Sequence, residues 1–360
     1  NGGALRTSGA TYAELDAVTF EGNSATQQGG AIANNSNTGT LTIANATFDS
    51  NTAMSDGGAI AHNAAGQTLT LRDATFSENV SQEDGGAVFV NSGTTTVVEE
   101  SQFISNRAEG AASRGGALAV INGGDITLTD TVVTSNESSA QGGGLFVDSD
   151  GTATVTGTLT TDSDGVATSA TTRFVDNQAG RDGGGIAMLD ESTLTVSGVL
   201  FRGNFSGDDG GGVSVTELSQ ATIDNANFEN NTVAENGGGL YSNNILSTVP
   251  TGNKVVLTNS RFIENEAGQS GGGFYHGING SAVVRDSLFH ANEAMIDGGG
   301  VQVSEGSLTL ANSQLLANQA RFGAGLEVSA GGSVTVTDTA LTDNVASLLG
   351  GGAQVDTGST

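Results

Sequence analysis

Closely spaced carboxylates are the first side chains in this sequence that could do chemistry. Asp148-Ser-Asp150-Gly151 and Asp162-Ser-Asp164-Gly165 each supply half of the oxygen ligands of an EF-hand loop, and neither has the downstream bidentate Glu. A third pair, Asp208-Asp209, stands in the turn before Gly210. These six carboxylates are weak candidates for Ca²⁺ binding. The competing interpretation is that these carboxylates only keep their turns solvated. The sequence therefore predicts no definite cofactor, and Ca²⁺ is the cofactor to test.

Four aromatic residues at equivalent positions could bind a partner: Phe89, Phe146, Tyr241 and Tyr275. Each lies between two residues that should point inward, as Phe89 does between Val88 and Val90, so each is expected to point outward. On a rod-shaped β-fold, which the repeats described below predict, the four residues would form an apolar strip. Such a strip suits stacking against sugar rings or lateral packing on another rod-shaped molecule. The competing interpretation, which carries equal weight, is that loops partly cover this column of equivalent residues.

Residues arranged for catalysis are not evident. The chain has no Cys, and His62, His276 and His290 are far apart in sequence. Polysaccharide lyases and hydrolases built on parallel β-helices need clustered Asp or Glu on one face, and the outward column of this chain has one carboxylate, Glu327. We therefore predict that the protein is not an enzyme. Binding or cleaving a polysaccharide is the least favoured of the functions considered.

The charge of the chain disfavours two classes of partner. The net charge is −28, from 39 Asp and Glu against 11 Lys and Arg. Such a surface repels nucleic acid and anionic lipid. No apolar run approaches the roughly 20 residues that span a bilayer, so direct membrane insertion is not expected either.

All of these residues belong to one repeated stretch, whose clearest copy runs from Phe48 to Ile60: Phe-x-x-Asn, a few polar residues, then Gly-Gly-Ala and an aliphatic residue. The motif returns about every 27 residues, which indicates a repeat architecture. Its Phe residues are Phe20, Phe48, Phe76, Phe103, Phe174, Phe201, Phe228, Phe262 and Phe289. Its Asn residues are Asn23, Asn51, Asn79, Asn106, Asn136, Asn177, Asn204, Asn231, Asn265, Asn292, Asn318 and Asn344. Val133, Leu315 and Leu341 replace Phe in three copies.

Each repeat contains three short extended segments, typified by Val88–Val90, Leu69–Leu71 and Ala46–Phe48. They alternate with period two and are rich in β-branched residues, which predicts strands. We predict an all-β fold: one right-handed parallel β-helix over residues 1–360, with about 12–13 coils and three strands per coil. At about 4.8 Å per coil the rod is about 60 Å long. The Phe rings should stack inside it, and the Asn amides should form a ladder.

Two departures from the period predict insertions, near 156–169 and near 247–253. Both are placed between the first and second strands, so they should protrude from the same edge of the rod. Insertions on one side of a solenoid often mark its binding side. The alternative, given equal weight, is that both insertions are surface loops that the fold tolerates.

The paired motifs are similar to the repeat signature of chlamydial polymorphic membrane proteins. Gly-Gly-Ala plus an aliphatic residue occurs at Ala4-Leu5, Ala31-Ile32, Ala59-Ile60, Ala87-Val88 and Ala117-Leu118, and becomes Gly-Gly-Gly plus an apolar residue from Gly142 onward. The resemblance spans the whole chain. It implies a passenger region of an autotransporter-type surface adhesin.

The first functional hypothesis is therefore a non-enzymatic β-solenoid, an adhesin-like stalk or passenger region, located outside the cell or on a bacterial surface. The second is a subunit that assembles end to end or laterally into a filament or sheath, because unpaired strand edges at a coil end invite another chain. The expected partners are other copies of the chain, or a host or cell-surface glycan or protein. The sequence opens in mid-motif at Asn1-Gly2-Gly3, so a segment of a longer chain is expected.

Overall fold

The computed structural model describes residues 2–63, 65–244 and 253–360. It shows an all-β solenoid of about 12 turns of about 27 residues, with three strands in each coil. Strands of successive coils pair in parallel; Thr75–Ser77, for example, lies between Thr47–Asp49 and Gln102–Ile104. None of the described residues is helical. The predicted fold class is confirmed.

The first strand of each coil follows the glycines, the second follows after a turn, and both belong to one large sheet. Leu5–Asp16 and Ile32–Ala44 each combine a first and a second strand. The other first strands are Ile60–His62, Val88–Val90, Leu118–Val120, Leu145–Val147, Ile186–Met188, Val213–Thr216, Leu240–Asn243, Phe274–His276, Val301–Ser304, Leu326–Ser329 and Ala353–Val355. The other second strands are Thr68–Arg72, Thr95–Glu99, Asp125–Thr129, Thr152–Thr156, Thr193–Ser197, Gln220–Asp224, Lys254–Thr258, Ser281–Arg285, Ser307–Ala311 and Ser333–Thr337.

The third strand carries the Phe and belongs to a second sheet, and a short strand after the Asn belongs to a third. The third strands are Thr19–Glu21, Thr47–Asp49, Thr75–Ser77, Gln102–Ile104, Val132–Thr134, Thr172–Val175, Val199–Arg202, Asn227–Glu229, Arg261–Ile263, Leu288–His290, Gln314–Leu316 and Ala340–Thr342. The short strands are Ser24–Ala25, Thr52–Ala53, Val80–Ser81, Arg107–Ala108, Glu137–Ser138, Gln178–Ala179, Phe205–Ser206, Thr232–Val233, Glu266–Ala267, Glu293–Ala294, Gln319–Phe322 and Val345–Leu349.

Period-two alternation places one set of side chains in the core. In Thr68–Arg72 the side chains of Leu69 and Leu71 are buried and those of Thr68 and Thr70 are half-buried. Register then stacks like on like, since Leu69 pairs with Leu41 in the preceding coil. A continuous apolar core therefore runs along the rod axis.

The repeated Phe side chains stack inside this core. From Phe20 to Phe103 and from Phe174 to Phe289 the ring centroids of neighbouring coils lie 4.5–5.4 Å apart, with planes within 18° of parallel. Val133 takes the place of a ring between the two runs, in register with Phe103 and Phe174. The column thus accepts an aliphatic side chain without losing strand register.

The repeated Asn side chains form an unbroken ladder from Asn23 to Asn344. Asn51 shows the pattern: its Nδ2 donates to Asn79 Oδ1 at 2.9 Å and to the Phe20 carbonyl at 2.9 Å. Its Oδ1 accepts from Nδ2 and the backbone N–H of Asn23. Each interior amide is fully hydrogen-bonded, which is what a buried polar group requires.

Left-handed backbone at the corners turns the chain between strands. The residue before each ladder Asn has positive φ, as at Ser50 (55°) and Glu78 (53°). At the glycine corner Gly57 has φ 65°, and a Cβ atom on Gly58 would overlap the carbonyl oxygen of Gly86 in the next coil. The second glycine is therefore required by close approach of two backbones.

The insertion near 156–169 is a β-hairpin of strands Leu159–Thr161 and Ala167–Ala170. It follows the second strand Thr152–Thr156 and precedes the third strand Thr172–Val175. The prediction that it lies between first and second strands is wrong, because the Thr152–Thr156 segment is itself the regular second strand. Most of the 247–253 insertion lies outside the described residues.

Candidate functional site

The aromatic column on the first strands is not an exposed strip. Phe89, Phe146 and Tyr241 are 2%, 0% and 6% exposed, and Tyr275 is only half-buried. The prediction of an accessible apolar strip is therefore wrong for the first three. The physical reason is the glycine corner, which packs onto the outer side of the first strand; a Cβ atom on Gly237 would lie 2.8 Å from Tyr241 Cβ.

Phe89 and Phe146 instead belong to a second, smaller apolar cluster. They alternate with Ala61, Ala119 and Ala187, so each ring packs beside a small side chain in the coils above and below. Ile121 and Leu189 pack against the cluster from the following turn. These rings contribute to stability by burial, and they are not available to a sugar or a second rod.

Arg114 closes this cluster from the outside. Its guanidinium lies 4.5 Å from the Phe146 ring centroid and pairs with Asp84 at 2.7 Å and with Asp148 at 2.9 Å. A cation over an aromatic face and between two carboxylates is favourable when partly desolvated. Asp148, one of the predicted calcium ligands, is therefore engaged by a guanidinium. Its predicted companion Asp150 is exposed.

The second predicted calcium pair lies at the tip of the hairpin. Asp162 Oδ1 accepts hydrogen bonds from the backbone N–H groups of Asp164 and Val166, at 3.0 and 2.9 Å. This is a carboxylate that caps its own turn. The hairpin is held against the third-strand face, where Asn227 Nδ2 donates to the Gly165 carbonyl and Glu229 accepts from the Ala167 N–H.

The third pair, Asp208-Asp209, lies in an acidic cleft of about 300 Å³, which we define by Asp182, Asp208, Asp209, Glu217 and Tyr241. Asp208 pairs with Arg181 at 3.3 Å. Asp209 accepts hydrogen bonds from the backbone N–H and Nδ2 of Asn236, both at 3.0 Å. Burial nevertheless raises the pKa of Asp209 to about 6.

Other groups in the acidic cleft are perturbed in the same direction. Burial raises the pKa of Asp182 and of Glu217, and the charges of Asp148, Asp190 and Asp182 raise that of Glu217 further. Burial also raises the pKa of the Tyr241 hydroxyl, which accepts a hydrogen bond from Asn243 Nδ2 at 2.8 Å. Half-buried carboxyls beside a tyrosine can accept hydrogen bonds from hydroxyl or ammonium groups of a ligand.

The structure thus separates the predicted carboxylates into three places. Asp208 and Asp209 line the acidic cleft, Asp148 lies near it under Arg114, and Asp162 and Asp164 are on the hairpin. Within residues 2–63, 65–244 and 253–360, no three His, Asp or Glu side chains form a group that could hold a metal ion. Calcium binding at the six carboxylates stays a prediction. Glu217 was missed because it follows a first strand, and only the fold brings that turn beside the glycine corner.

Comparisons with known proteins agree with this architecture. The family description "right handed beta helix region" matches residues 58–228, 113–307 and 184–360. The "Chlamydia polymorphic membrane protein repeat" matches residues 17–35 and 45–63. No curated protein and no solved structure matches the chain. In the described residues no helix is long and apolar enough to cross a membrane.

Proposed function

The chain belongs to the right-handed β-helix family, and we propose that it serves as a non-enzymatic surface β-solenoid: an adhesin-like stalk or passenger region outside the cell. The two polymorphic membrane protein repeats support a surface location. The single observation that carries the proposal is the uninterrupted Asn ladder, which runs through twelve successive coils from Asn23 to Asn344. A rod with one continuous hydrogen-bonded core is suited to hold a binding region away from a membrane.

The adhesive contact in this proposal is the acidic cleft, since three of the four aromatic residues of the column are buried. The cleft combines a concave surface with half-buried carboxyls, and the buried Tyr241 forms part of its wall. Carboxylates suit the hydroxyl groups of a glycan or the basic side chains of a protein. The partner is therefore a cell-surface glycan or protein.

The test is binding of the purified chain to a glycan array and to immobilised extracellular proteins. We expect specific binding that falls at least tenfold in the double variant D209N/E217Q. The control D338N changes one exposed acid far from the cleft and should bind like the wild type. Binding that is equal in all three proteins would remove the cleft from the proposal, and no binding to any surface would contradict the adhesive role.

The filament hypothesis stays a prediction, and negative-stain electron microscopy of the same sample tests it. Separate rods of about 60 Å favour the stalk. Long fibres of uniform width would favour self-assembly instead.

A further inference from the structure

Three oxygen-bearing side chains stack in one column near the C-terminal end of the solenoid. Gln302 is the register partner of Glu327, and Glu327 is the register partner of Gln354. They continue the column of Tyr275 on the first strands, on the side that the glycine corner covers. Neighbouring parallel strands lie about 4.8 Å apart, so the three side chains are stacked at that spacing.

The oxygens of this column lack hydrogen-bond donors. Gln302 and Glu327 are 2% and 1% exposed, and Gln354 is half-buried. Gln302 Oε1, Glu327 Oε2 and Gln354 Oε1 are buried atoms without a hydrogen-bond partner. Leaving one buried acceptor unsatisfied costs about 1–3 kcal/mol, and more for a charged group. Three in one column indicate a missing partner.

The two glutamine NH₂ groups are used elsewhere. Gln302 Nε2 donates to Ser329 Oγ at 2.8 Å, and Gln354 Nε2 donates to Asp356 Oδ1 at 3.0 Å. Glu327 has no ion pair with Arg, Lys or His anywhere in the described ranges. A single proton on Glu327 would satisfy only one of the two flanking amide oxygens, whereas a Ca²⁺ ion toward which both glutamine side chains turn would bind all three acceptors.

Nearby charge favours a cation at the same place. Burial, with the charges of Asp356 and Asp297, raises the pKa of Glu327 to about 8. Gly323 gives the carboxylate room, because a Cβ atom there would collide with Glu327 Oε2. Asp356 lies beside Gln354 and accepts a hydrogen bond from its Nε2, so it adds a negative charge next to the column.

We propose that Gln302, Glu327 and Gln354 bind one calcium ion, with water completing its coordination. Ca²⁺ accepts amide and carboxylate oxygens in flexible geometries, whereas Mg²⁺ requires a near-ideal octahedron. One carboxylate and two neutral amides make a weakly charged site. The expected dissociation constant is therefore about 10⁻⁴–10⁻³ M, as in extracellular calcium modules. The site lies apart from the acidic cleft and does not depend on the proposed function.

The experiment is calorimetric titration of the full chain with CaCl₂ at about 150 mM NaCl, which screens diffuse binding to the acidic surface. We expect one Ca²⁺ per chain, lost in E327Q and weakened about tenfold in Q354A. D338N removes an exposed acid from the coil that contains Glu327, and this variant should bind Ca²⁺ as the wild type does. Thermal melting supplies a second readout, because Ca²⁺ should raise the melting temperature of the wild type and D338N and leave that of E327Q unchanged.

Two results would overturn the proposal. Equal calcium binding in the wild type and E327Q would show that the ion binds at other acidic residues. If binding is then lost in D208N/D209N, the ion binds in the acidic cleft. No calcium binding to the folded wild type would mean that Glu327 is satisfied by a proton or by a turned glutamine amide.

Discussion

The side chain of Asn204 donates from Nδ2 to Asn231 Oδ1 at 2.9 Å, and the backbone N–H of Asn204 donates to the same oxygen at 3.1 Å. One amide oxygen therefore joins both the side chain and the main chain of the neighbouring coil. Asn204 Oδ1 accepts the equivalent pair from Asn177. The ladder links each coil to the next by side chains as well as by strands.

Replacing Asn204 with Leu should destabilise the protein by a few kcal/mol, since it leaves two buried donors of Asn177 without an acceptor, at about 1–3 kcal/mol each. Urea unfolding followed by circular dichroism measures the change. Q178L is the matched control, an exposed amide in the neighbouring coil, and should shift stability by about 0.5 kcal/mol or less. An unchanged N204L midpoint would refute the role of the ladder.

Replacing Phe228 should have an effect that depends on the new side chain. Its ring stacks between Phe201 and Phe262, with centroid distances of 4.8 and 4.5 Å. F228A should cost about 3–5 kcal/mol through the cavity it leaves. F228L should cost less, because Val133 and Leu315 already occupy this column in other coils. Equal losses in both variants would mean that ring stacking, rather than filled volume, stabilises the column.

The buried histidines should make the protein acid-sensitive. His62 and His276 are both fully buried, and burial lowers the pKa of each from 6.5 to about 4. The folded state favours the neutral ring, so protonation of these histidines does not reduce the free energy of unfolding above pH 6.5. Stability is lost as the pH falls toward 4, by about 3 kcal/mol for each histidine.

Melting temperatures of the wild type, H276L and H290L between pH 8 and pH 4 test this. H276L should show a smaller loss on acidification. The partly exposed His290 is the control, and H290L should follow the wild-type profile. If the melting temperature of H276L falls with pH as steeply as that of the wild type, the His276 imidazole is not responsible for the acid sensitivity.

Asp209 should show the opposite dependence. Its folded pKa is raised from 3.8 to about 6, so the folded state binds this proton more tightly than the unfolded state does. Stability is therefore lost as the pH rises from about 4 to above 6. D209N should be more stable than the wild type at pH 8 and no more stable at pH 3.5, because an amide oxygen can keep both hydrogen bonds from Asn236. D208N, at a more exposed carboxylate, is the control. A D209N gain that is equal at both pH values would contradict the raised pKa.

The sequence predicted the solenoid and its internal ladder because the motif Asn recurs in twelve copies and its Phe in nine, each in the same environment. It did not predict the burial of Phe89 and Phe146. Alternation along a short strand separates inside from outside, but it cannot show that the preceding glycine corner and Arg114 cover the outer side.

The hairpin was misplaced for a related reason. Thr152–Thr156 has the usual spacing from the glycines, and the extra Thr-rich residues that follow it resemble the strand itself. Glu217 and Asp182 approach each other only through stacked coils, which is information that no single repeat contains.

The surface role is tested most directly by labelling intact cells of the source organism with an antibody against the hairpin Leu159–Ala170. We expect labelling without permeabilisation and its loss after external protease treatment. Labelling that appears only after the cells are opened would contradict a surface β-solenoid.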